Sequence, residues 1–411
     1  MTDTQTATAT APPPPAQTDR PEDPTVRSFL RNFVRADSAT GVGFLQVVVG
    51  LAAIWTIFGL LNPNFLSATN LTNLSLQIVA VAALGMGVVL VLLLGEIDLS
   101  IGSVSGLGAT ALAALNVKLG VPPLLAIGAA LLGGALIGLI QGLIVAGFGV
   151  PSFVVTLGGL IGWQGLQLFI FDFTGAMNVS DPVLLGLTNT FFPPWVGWLL
   201  LLAALGIRAV FVLRVRRRRA KAGLVNVKPW VEAVRFAISA AVPAAVIVMF
   251  VQDRGIPLAV LIVVGLVLLM DFIARRTLFG RRIYAVGGDA QAAGRVGIDV
   301  RRITVYVFML SGTFAALGGV LSASRLQSVT QGAGSGGILL DAIAAVVIGG
   351  TSLFGGRGSL WSALLGALVI GSISNGMDLL ALASPVKLMI TGAVLITAVI
   401  FDASVRRKQA R

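Results

Sequence analysis

Residues 71–94 read LTNLSLQIVAVAALGMGVVLVLLL, a run of 24 residues that contains no charged side chain. An α-helix needs about 20 predominantly apolar residues to cross the hydrocarbon core of a bilayer. The run is therefore long enough to form one transmembrane helix, and we count eleven further apolar segments in the chain.

The composition of the whole chain agrees with this segment. Of its 411 residues, 56% are hydrophobic and only 11% are charged, whereas an average soluble domain carries about a quarter charged residues. The mean hydropathy is +0.95. The fifty glycines also suit a membrane protein, because helices in lipid associate through close packing of small residues. A soluble chain of this length would need far more polar residues to cover its surface.

The twelve apolar segments begin at residue 43. They lie at 43–61, 71–94, 99–116, 123–147, 152–172, 196–213, 236–251, 256–274, 303–323, 341–354, 360–380 and 387–402. Segments 99–116 and 341–354 are short for a full crossing, which indicates half-helices or re-entrant pieces. The sequence therefore predicts an all-α, polytopic membrane helix bundle with about 10 to 12 transmembrane segments, some of them broken.

The positions of Lys and Arg predict the orientation, because basic residues in short loops favour the cytoplasmic side. Of the 29 basic residues, 24 fall in the N-terminal tail, in 208–235, in 275–302 and at the C-terminus. Six, two and four apolar segments separate these regions. Since each number is even, all four regions can lie on one side, and we expect both termini in the cytoplasm and the chain in the inner membrane.

The composition along the chain predicts its domains. Residues 1–40, rich in Thr, Ala and Pro, indicate a disordered cytoplasmic tail and not a cleavable signal peptide. Residues 41–405 are expected to form one transmembrane domain, with a basic cytoplasmic loop at 214–235 and a longer cytoplasmic connection at 275–302. Residues 406–411 form a basic cytoplasmic end.

Several function classes are excluded by what the sequence lacks. It contains no His and no Cys, which excludes disulfides, imidazole or thiolate metal sites, haem on these residues, and Ser-His or Cys-His catalysis. No GxxxxGK[ST] phosphate loop occurs, so the chain shows no nucleotide site of its own. We predict no catalytic residue, no metal and no cofactor. The net charge of +12 follows from the basic flanks of membrane spans, and no nucleic-acid partner is expected.

Two segments place polar groups within apolar surroundings. LGEIDLSIGS at 94–103 contains Glu96 and Asp98, which indicate either a polar pathway or an interfacial turn; Asp98 can also bind free backbone N–H groups at a helix start. FGVPSFVVTLGG at 148–159 has a Gly-Pro break at Pro151 ahead of Thr156. Such a break suits a cavity lining, but it is equally common at ordinary helix starts.

Two glycine-rich connections follow. LFGRRIYAVGGDAQAAGRVGIDV at 278–300 predicts a break at Gly287–Asp289, an N-cap at Asp289 and a short helix that ends at Gly297. This helix would lie outside the membrane, where its apolar face needs a partner; an ordinary solvated loop is the alternative. IGGTSLFGGRGSL at 348–360 indicates tight turning or close helix approach.

In this order, the four segments resemble the permease subunits of ATP-binding-cassette importers for monosaccharides, of the ribose and xylose type, over about residues 45–402. The resemblance implies a homodimer, cytoplasmic ATP-binding-cassette ATPase subunits and an extracytoplasmic sugar-binding protein. It also implies that 278–300 couples to the ATPase through Gly280, Arg281, Tyr284, Gly287, Gly288, Asp289, Ala292, Ala293 and Gly297. The candidate translocation-pathway residues are Glu96, Asp98, Ser100, Ser103, Pro151 and Thr156.

Within that family the chain resembles the xylose-type subgroup, because helices at 236–274 follow an inserted basic stretch at 214–235. A monosaccharide, D-xylose or a related pentose, is the implied substrate. An ion-coupled secondary transporter is the main alternative, with membrane acids as ion-pathway candidates: Glu96, Asp98, Asp172, Asp341 and Asp378. A membrane enzyme such as a lipid-linked sugar transferase would need paired acids, and Glu96 and Asp98 are two residues apart, where helical side chains diverge.

Overall fold

The computed structural model describes residues 43–172, 175–224, 229–335 and 337–409. The predicted tail at 1–40 lies outside the described residues, as do residues 410 and 411 of the predicted basic end. Within the described part the chain is helical, with four short strands, and the predicted all-α bundle is confirmed.

The elements of the first half follow one another in this order: α1 (Gly43–Leu61), α2 (Ala68–Leu93), α3 (Ile101–Ala113), a π-helical turn (Ala114–Lys118), α4 (Pro123–Phe148), α5 (Ser152–Phe171), β1 (Ala176–Asn178), α6 (Pro182–Asn189), β2 (Phe191–Phe192), α7 (Pro194–Lys221) and α8 (Pro229–Val251). The second half contains β3 (Ile256–Pro257), α9 (Leu258–Arg276), α10 (Leu278–Gly288), α11 (Ala290–Arg295), α12 (Val300–Leu326), β4 (Ser328–Thr330), α13 (Gly337–Ile348), α14 (Trp361–Leu379) and α15 (Ser384–Gln409).

Each of the twelve predicted apolar segments overlaps one of these helices. Among the described residues, eight helices are long and apolar enough to cross a membrane: α2, α4, α5, α7, α8, α9, α12 and α14. Helix α13 has only 12 residues, too few for a full crossing, so the half-helix predicted at 341–354 is confirmed. Helix α3 has 13 residues but continues without a break through the π-helical turn to Lys118, which brings it to the lower end of the length that a crossing needs, roughly 17 residues.

Helix α2 forms the centre of the bundle. In its most apolar stretch 89% of the residues are buried, and α12, α13 and α14 pack around it. A helix that is apolar on every side is stable only when protein or lipid surrounds it completely. The segment from which we inferred a membrane helix is therefore shielded from lipid by the other helices.

The short strands define one face of the bundle. β1 pairs with β4, which joins the ends of α5 and α12, and β2 pairs with β3, which joins the starts of α7 and α9; both pairs are antiparallel. Helix α6 links β1 to β2, and its Thr188 Oγ1 lies 2.9 Å from Ser324 Oγ near the end of α12. We call this the strand face. Because α7 and α9 lead away from their strands, they end at the opposite face, here called the basic face. It carries α10, α11 and the arginines that end α7.

Candidate functional site

A buried polar network surrounds the predicted acid Asp98, directly before α3. Asp98 is 7% exposed. Its Oδ1 accepts hydrogen bonds from the backbone N (2.9 Å) and the Oγ (2.6 Å) of Ser100, and its Oδ2 accepts one from Ser311 Oγ (3.0 Å) on α12. The bond to the backbone N–H of Ser100, the residue before the first turn of α3, is the helix-start contact that we expected.

The hydroxyl of Ser100 extends this network to α4. It donates its single proton to Asp98, so it acts as acceptor toward Gln141 Nε2, 2.9 Å away. Gln141 is only 3% exposed. Neither Gln141 nor Ser311 was singled out in the sequence, although a lone Gln in an apolar 26-residue helix indicates a polar partner inside the bundle.

Hydroxyl groups at the start of α5 hold the backbone ahead of α3. Ser152 Oγ accepts from Ile97 N at 3.0 Å, and Thr156 Oγ1 accepts from Leu99 N at 3.1 Å. The predicted break before α5 is confirmed, because Gly149 adopts a left-handed conformation (φ 65°) and α5 begins directly after Pro151. The segment between α2 and α3 is thus hydrogen-bonded along its length.

The six candidate pathway residues differ in how deeply they are buried. Asp98, Ser100, Ser103 and Thr156 are buried, whereas Pro151 is exposed and Glu96 is half-buried. The hydroxyl of Ser103 donates to the carbonyl of Ser100 at 2.8 Å. Their part in translocation stays a prediction.

Helices α3 and α13 meet at their N-terminal ends. Gly102 of α3 lies against the backbone of Gly334, in the connection that leads to α13. Gln167 of α5, 1% exposed, donates to the carbonyl of Ala333 in the same connection at 3.0 Å. Broken helices whose ends meet inside a bundle are typical of transporter binding regions. Gln167 was another polar residue that the sequence analysis missed.

On the basic face, the connection at 278–300 forms two helices where the sequence predicted one. Asp289 lies between α10 and α11 in an extended conformation, and its Oδ1 accepts from Ala292 N at 2.9 Å. The predicted N-cap is therefore confirmed. Gly297 has φ 85°, which agrees with the predicted end of the short helix. The unpredicted α10 is amphipathic, and it buries Gly280, Ile283 and Val286.

The nine candidate coupling residues fall into two sets. Gly280, Tyr284, Gly287 and Ala293 pack inward against this chain. Arg281, Gly288, Asp289, Ala292 and Gly297 are exposed. Only the exposed set is accessible to another protein without rearrangement.

Three glycine-bearing segments meet at the C-terminal end of α10, and we call this contact the glycine junction: Leu93–Gly95, Gly287 and Gly355–Gly356. Gly356 N donates to the carbonyl of Leu93 at 3.0 Å. A Cβ added to Gly287 would collide with the same Leu93 carbonyl. The close approach predicted for 348–360 is confirmed, and α10 thereby touches the segments that follow α2 and α13.

Tyr284 strengthens this contact. Its hydroxyl donates to the carbonyl of Gly358 at 2.9 Å. Burial raises the pKa of the Tyr284 phenol, although the charge of Arg275 opposes the shift. The phenol is protonated at neutral pH at its ordinary pKa of about 10, and the upward shift extends its role as hydrogen-bond donor to more alkaline pH.

These features define a polytopic membrane protein with a broken helix arrangement in its core and two short helices on its basic face. The chain belongs to the permease-component family described as "Branched-chain amino acid transport system / permease component", whose model matches residues 70–399. The resemblance inferred from the motifs, to permeases of sugar importers, is confirmed by individual relatives.

The chain is 37% identical to the xylose transport system permease protein of Escherichia coli strain K12 over 374 residues, which are 89% of this chain and 93% of that protein. It is 33% identical to the protein of the same description from Haemophilus influenzae over 370 residues, 88% of this chain and 96% of that protein. It is 32% identical to the ribose import permease protein of Escherichia coli strain K12 over 355 residues, 86% of this chain and 92% of that protein. No solved structure shows significant similarity to the chain.

Proposed function

We propose that the chain is the membrane-spanning subunit of an ATP-driven importer that carries a monosaccharide, D-xylose or a related pentose, into the cell. The observation that carries this proposal is the 37% identity to a xylose permease over 89% of the chain. The polar network around Asp98 agrees with a neutral solute, because its carboxylate is already hydrogen-bonded within the chain.

ATP hydrolysis is assigned to a partner subunit, since the chain contains no phosphate-loop sequence. The ATPase docks on the exposed set of coupling residues around α11. The inward set has a different part: Gly280, Tyr284, Gly287 and Ala293 fix this segment to the membrane helices. A movement of α11 then reaches the segments after α2 and α13 through the glycine junction.

The assembly follows from the same assignment. Two copies of the chain form the translocating unit, residues 41–405 act as one domain, and the basic face with both termini is cytoplasmic. A sugar-binding protein delivers its cargo to the strand face. The sugar passes near the meeting ends of α3 and α13, along the candidate residues Glu96, Asp98, Ser100, Ser103, Pro151 and Thr156.

Reconstitution of the full chain in liposomes tests the function. Uptake of labelled xylose and ribose is measured with and without the ATPase, the binding protein and ATP. We expect uptake only when all components are present, with xylose preferred. Uptake by the chain alone, driven by a proton or sodium gradient, would show an ion-coupled secondary transporter instead.

Substitution of Asp289 tests the docking assignment. Asp289→Arg removes the carboxylate that caps α11 and reverses its charge, so we expect most of the sugar-stimulated ATP hydrolysis to be lost. Asp289→Asn preserves a side-chain acceptor, and capping by Asn and Asp is about equally strong; this variant should retain most of the activity. Unchanged sugar-stimulated ATP hydrolysis in the Asp289→Arg variant would contradict the docking assignment.

A further inference from the structure

Helix α7 continues as one helix from an apolar stretch into a strongly basic end. Its last turns contain a set that we call the basic end of α7: Arg214, Arg216, Arg217, Arg218, Arg219 and Lys221. Favourable interaction with a helix C-terminus extends over the last turn only. The number of charges therefore exceeds what capping of this helix needs.

The aromatic and basic residues of α7 show how it lies in a bilayer. Trp195, 64% exposed, stands at the start of the helix, and Trp is enriched where hydrocarbon meets headgroups. Arg214 follows 19 residues later, which corresponds to about 28 Å along an α-helix. This length matches a hydrocarbon core of about 30 Å, so the basic end begins at the opposite headgroup layer.

Protein groups neutralise little of this charge. Arg216 forms an ion pair with Glu232 of α8 at 2.6 Å, and Glu232 is the only acidic residue between positions 208 and 235. Arg214, Arg217, Arg218, Arg219 and Lys221 are exposed, and no ion pair to them is formed among the described residues.

The position of α7 in the bundle leaves its sides open to lipid. Its main contacts are with α8, and only 6% of its most apolar stretch is buried. Large apolar side chains remain exposed up to the first arginine, among them Val210, Phe211 and Leu213. The basic end is thus the direct continuation of an apolar surface that the rest of the chain leaves uncovered.

We propose that the basic end of α7 binds the phosphate headgroups of anionic phospholipids. The guanidinium fork of Arg matches phosphate oxygens in two parallel hydrogen bonds. Basic clusters directly beside a membrane helix attract anionic headgroups, and each basic residue adds to the affinity. Lipid is the occupant that this position favours, because the positive cluster directly continues an apolar helix that the rest of the chain leaves largely uncovered.

Lipid retention by the purified full-length chain tests the proposal. The chain is placed in nanodiscs of phosphatidylcholine with one-fifth phosphatidylglycerol or cardiolipin, extracted gently, and its bound lipids are counted by native mass spectrometry. We expect enrichment of the anionic lipid over phosphatidylcholine. The variant R214Q/R217Q/R218Q/R219Q should reduce that enrichment by roughly tenfold or more.

Two matched variants separate a site from a general charge effect. R281Q/R282Q/R295Q/R301Q removes four exposed arginines from the same face and should keep the enrichment. R214K/R217K/R218K/R219K keeps the charge and should retain most of it. Equal loss in the two Gln variants, or no loss in R214Q/R217Q/R218Q/R219Q, overturns the proposal.

Two further measurements remain possible even if the Gln variants do not fold: the salt dependence of lipid retention and the affinity for the ATPase. Raising NaCl from 0.05 to 0.5 M should weaken lipid retention by the unmodified chain several-fold, because salt screens exposed charges. Retention that is insensitive to salt contradicts the proposal. The proposal is also contradicted if, in pure phosphatidylcholine, the R214K/R217K/R218K/R219K variant binds the ATPase more weakly than the unmodified chain does. That result would make the surface a protein-docking site.

Discussion

Gly287 and Gly288 are neighbours in the sequence with opposite surroundings. A Cβ on Gly287 would collide with the Leu93 carbonyl and the Gly356 amide, whereas a Cβ on Gly288 meets nothing within 4 Å. Gly287→Ala should therefore destabilise the chain by about 1–3 kcal/mol, the usual cost of overpacking. Gly288→Ala should be close to neutral, as thermal unfolding of both purified variants will show. Equal unfolding temperatures would mean that the glycine junction is not tightly packed.

Ser311 and Thr313 lie two residues apart on α12, but their hydroxyl groups have different hydrogen-bond acceptors. Ser311 donates to the buried carboxylate of Asp98, whereas Thr313 Oγ1 donates only to the carbonyl of Met309 in its own helix. Ser311→Ala leaves a carboxylate oxygen without its donor, which costs about 1–3 kcal/mol. Thr313→Val keeps the side-chain shape and should change stability by less than about 0.5 kcal/mol. Denaturation in detergent compares the two; a larger loss for Thr313→Val would contradict the network's importance.

At the scale of elements, α4 and α12 show how membrane helices approach closely. A Cβ on Gly138 of α4 would collide with the backbone at Phe308 of α12, whereas a Cβ on Gly133 of the same helix would meet nothing within 4 Å. Gly133→Ala should be neutral or slightly stabilising, because Ala has a higher helix propensity than Gly. Gly138→Ala should push the helices apart and cost about 1–3 kcal/mol. Thermal unfolding distinguishes them, and equal stability would show that α4 and α12 adjust freely.

Helix α3 is distinguished by the side chains that satisfy the backbone ahead of its start. The segment before α3 is held by Asp98, Ser152 and Thr156, which supply acceptors for its backbone N–H groups. Backbone outside a helix is tolerated at membrane depth only where protein or water satisfies it. Hydroxyl groups at the start of α5 are therefore part of what allows α3 to begin inside the bundle.

At the scale of the molecule, the absence of Cys from the sequence makes the predicted orientation directly testable. Ser180→Cys lies next to the strand face and Gln291→Cys lies on α11, and both positions are exposed. A membrane-impermeant thiol reagent should label Ser180→Cys from outside the cell membrane and Gln291→Cys only in inside-out vesicles. The unmodified chain is the control, and the reverse pattern would invert the proposed topology.

Local patterns predicted much of the molecule. The twelve apolar segments, the short third and tenth segments, the break at Pro151 and the cap at Asp289 were all evident in the sequence, because each depends on hydropathy or on neighbouring residues. Membership in the permease family also followed from the order of the motifs. Helix α10 was missed, since it is short and buries only three residues.

The sequence by itself thus determined a membrane bundle with a half-helix at 341–354 and a capped helix on its basic face. Only the tertiary structure decided that Ser311 and Gln141 complete the network of Asp98, and that Gly287 faces Leu93 while Gly288 faces outward. The partners in these contacts lie up to 213 positions apart. Hydropathy and turn patterns are local, whereas such contacts depend on which helix faces meet when the bundle packs.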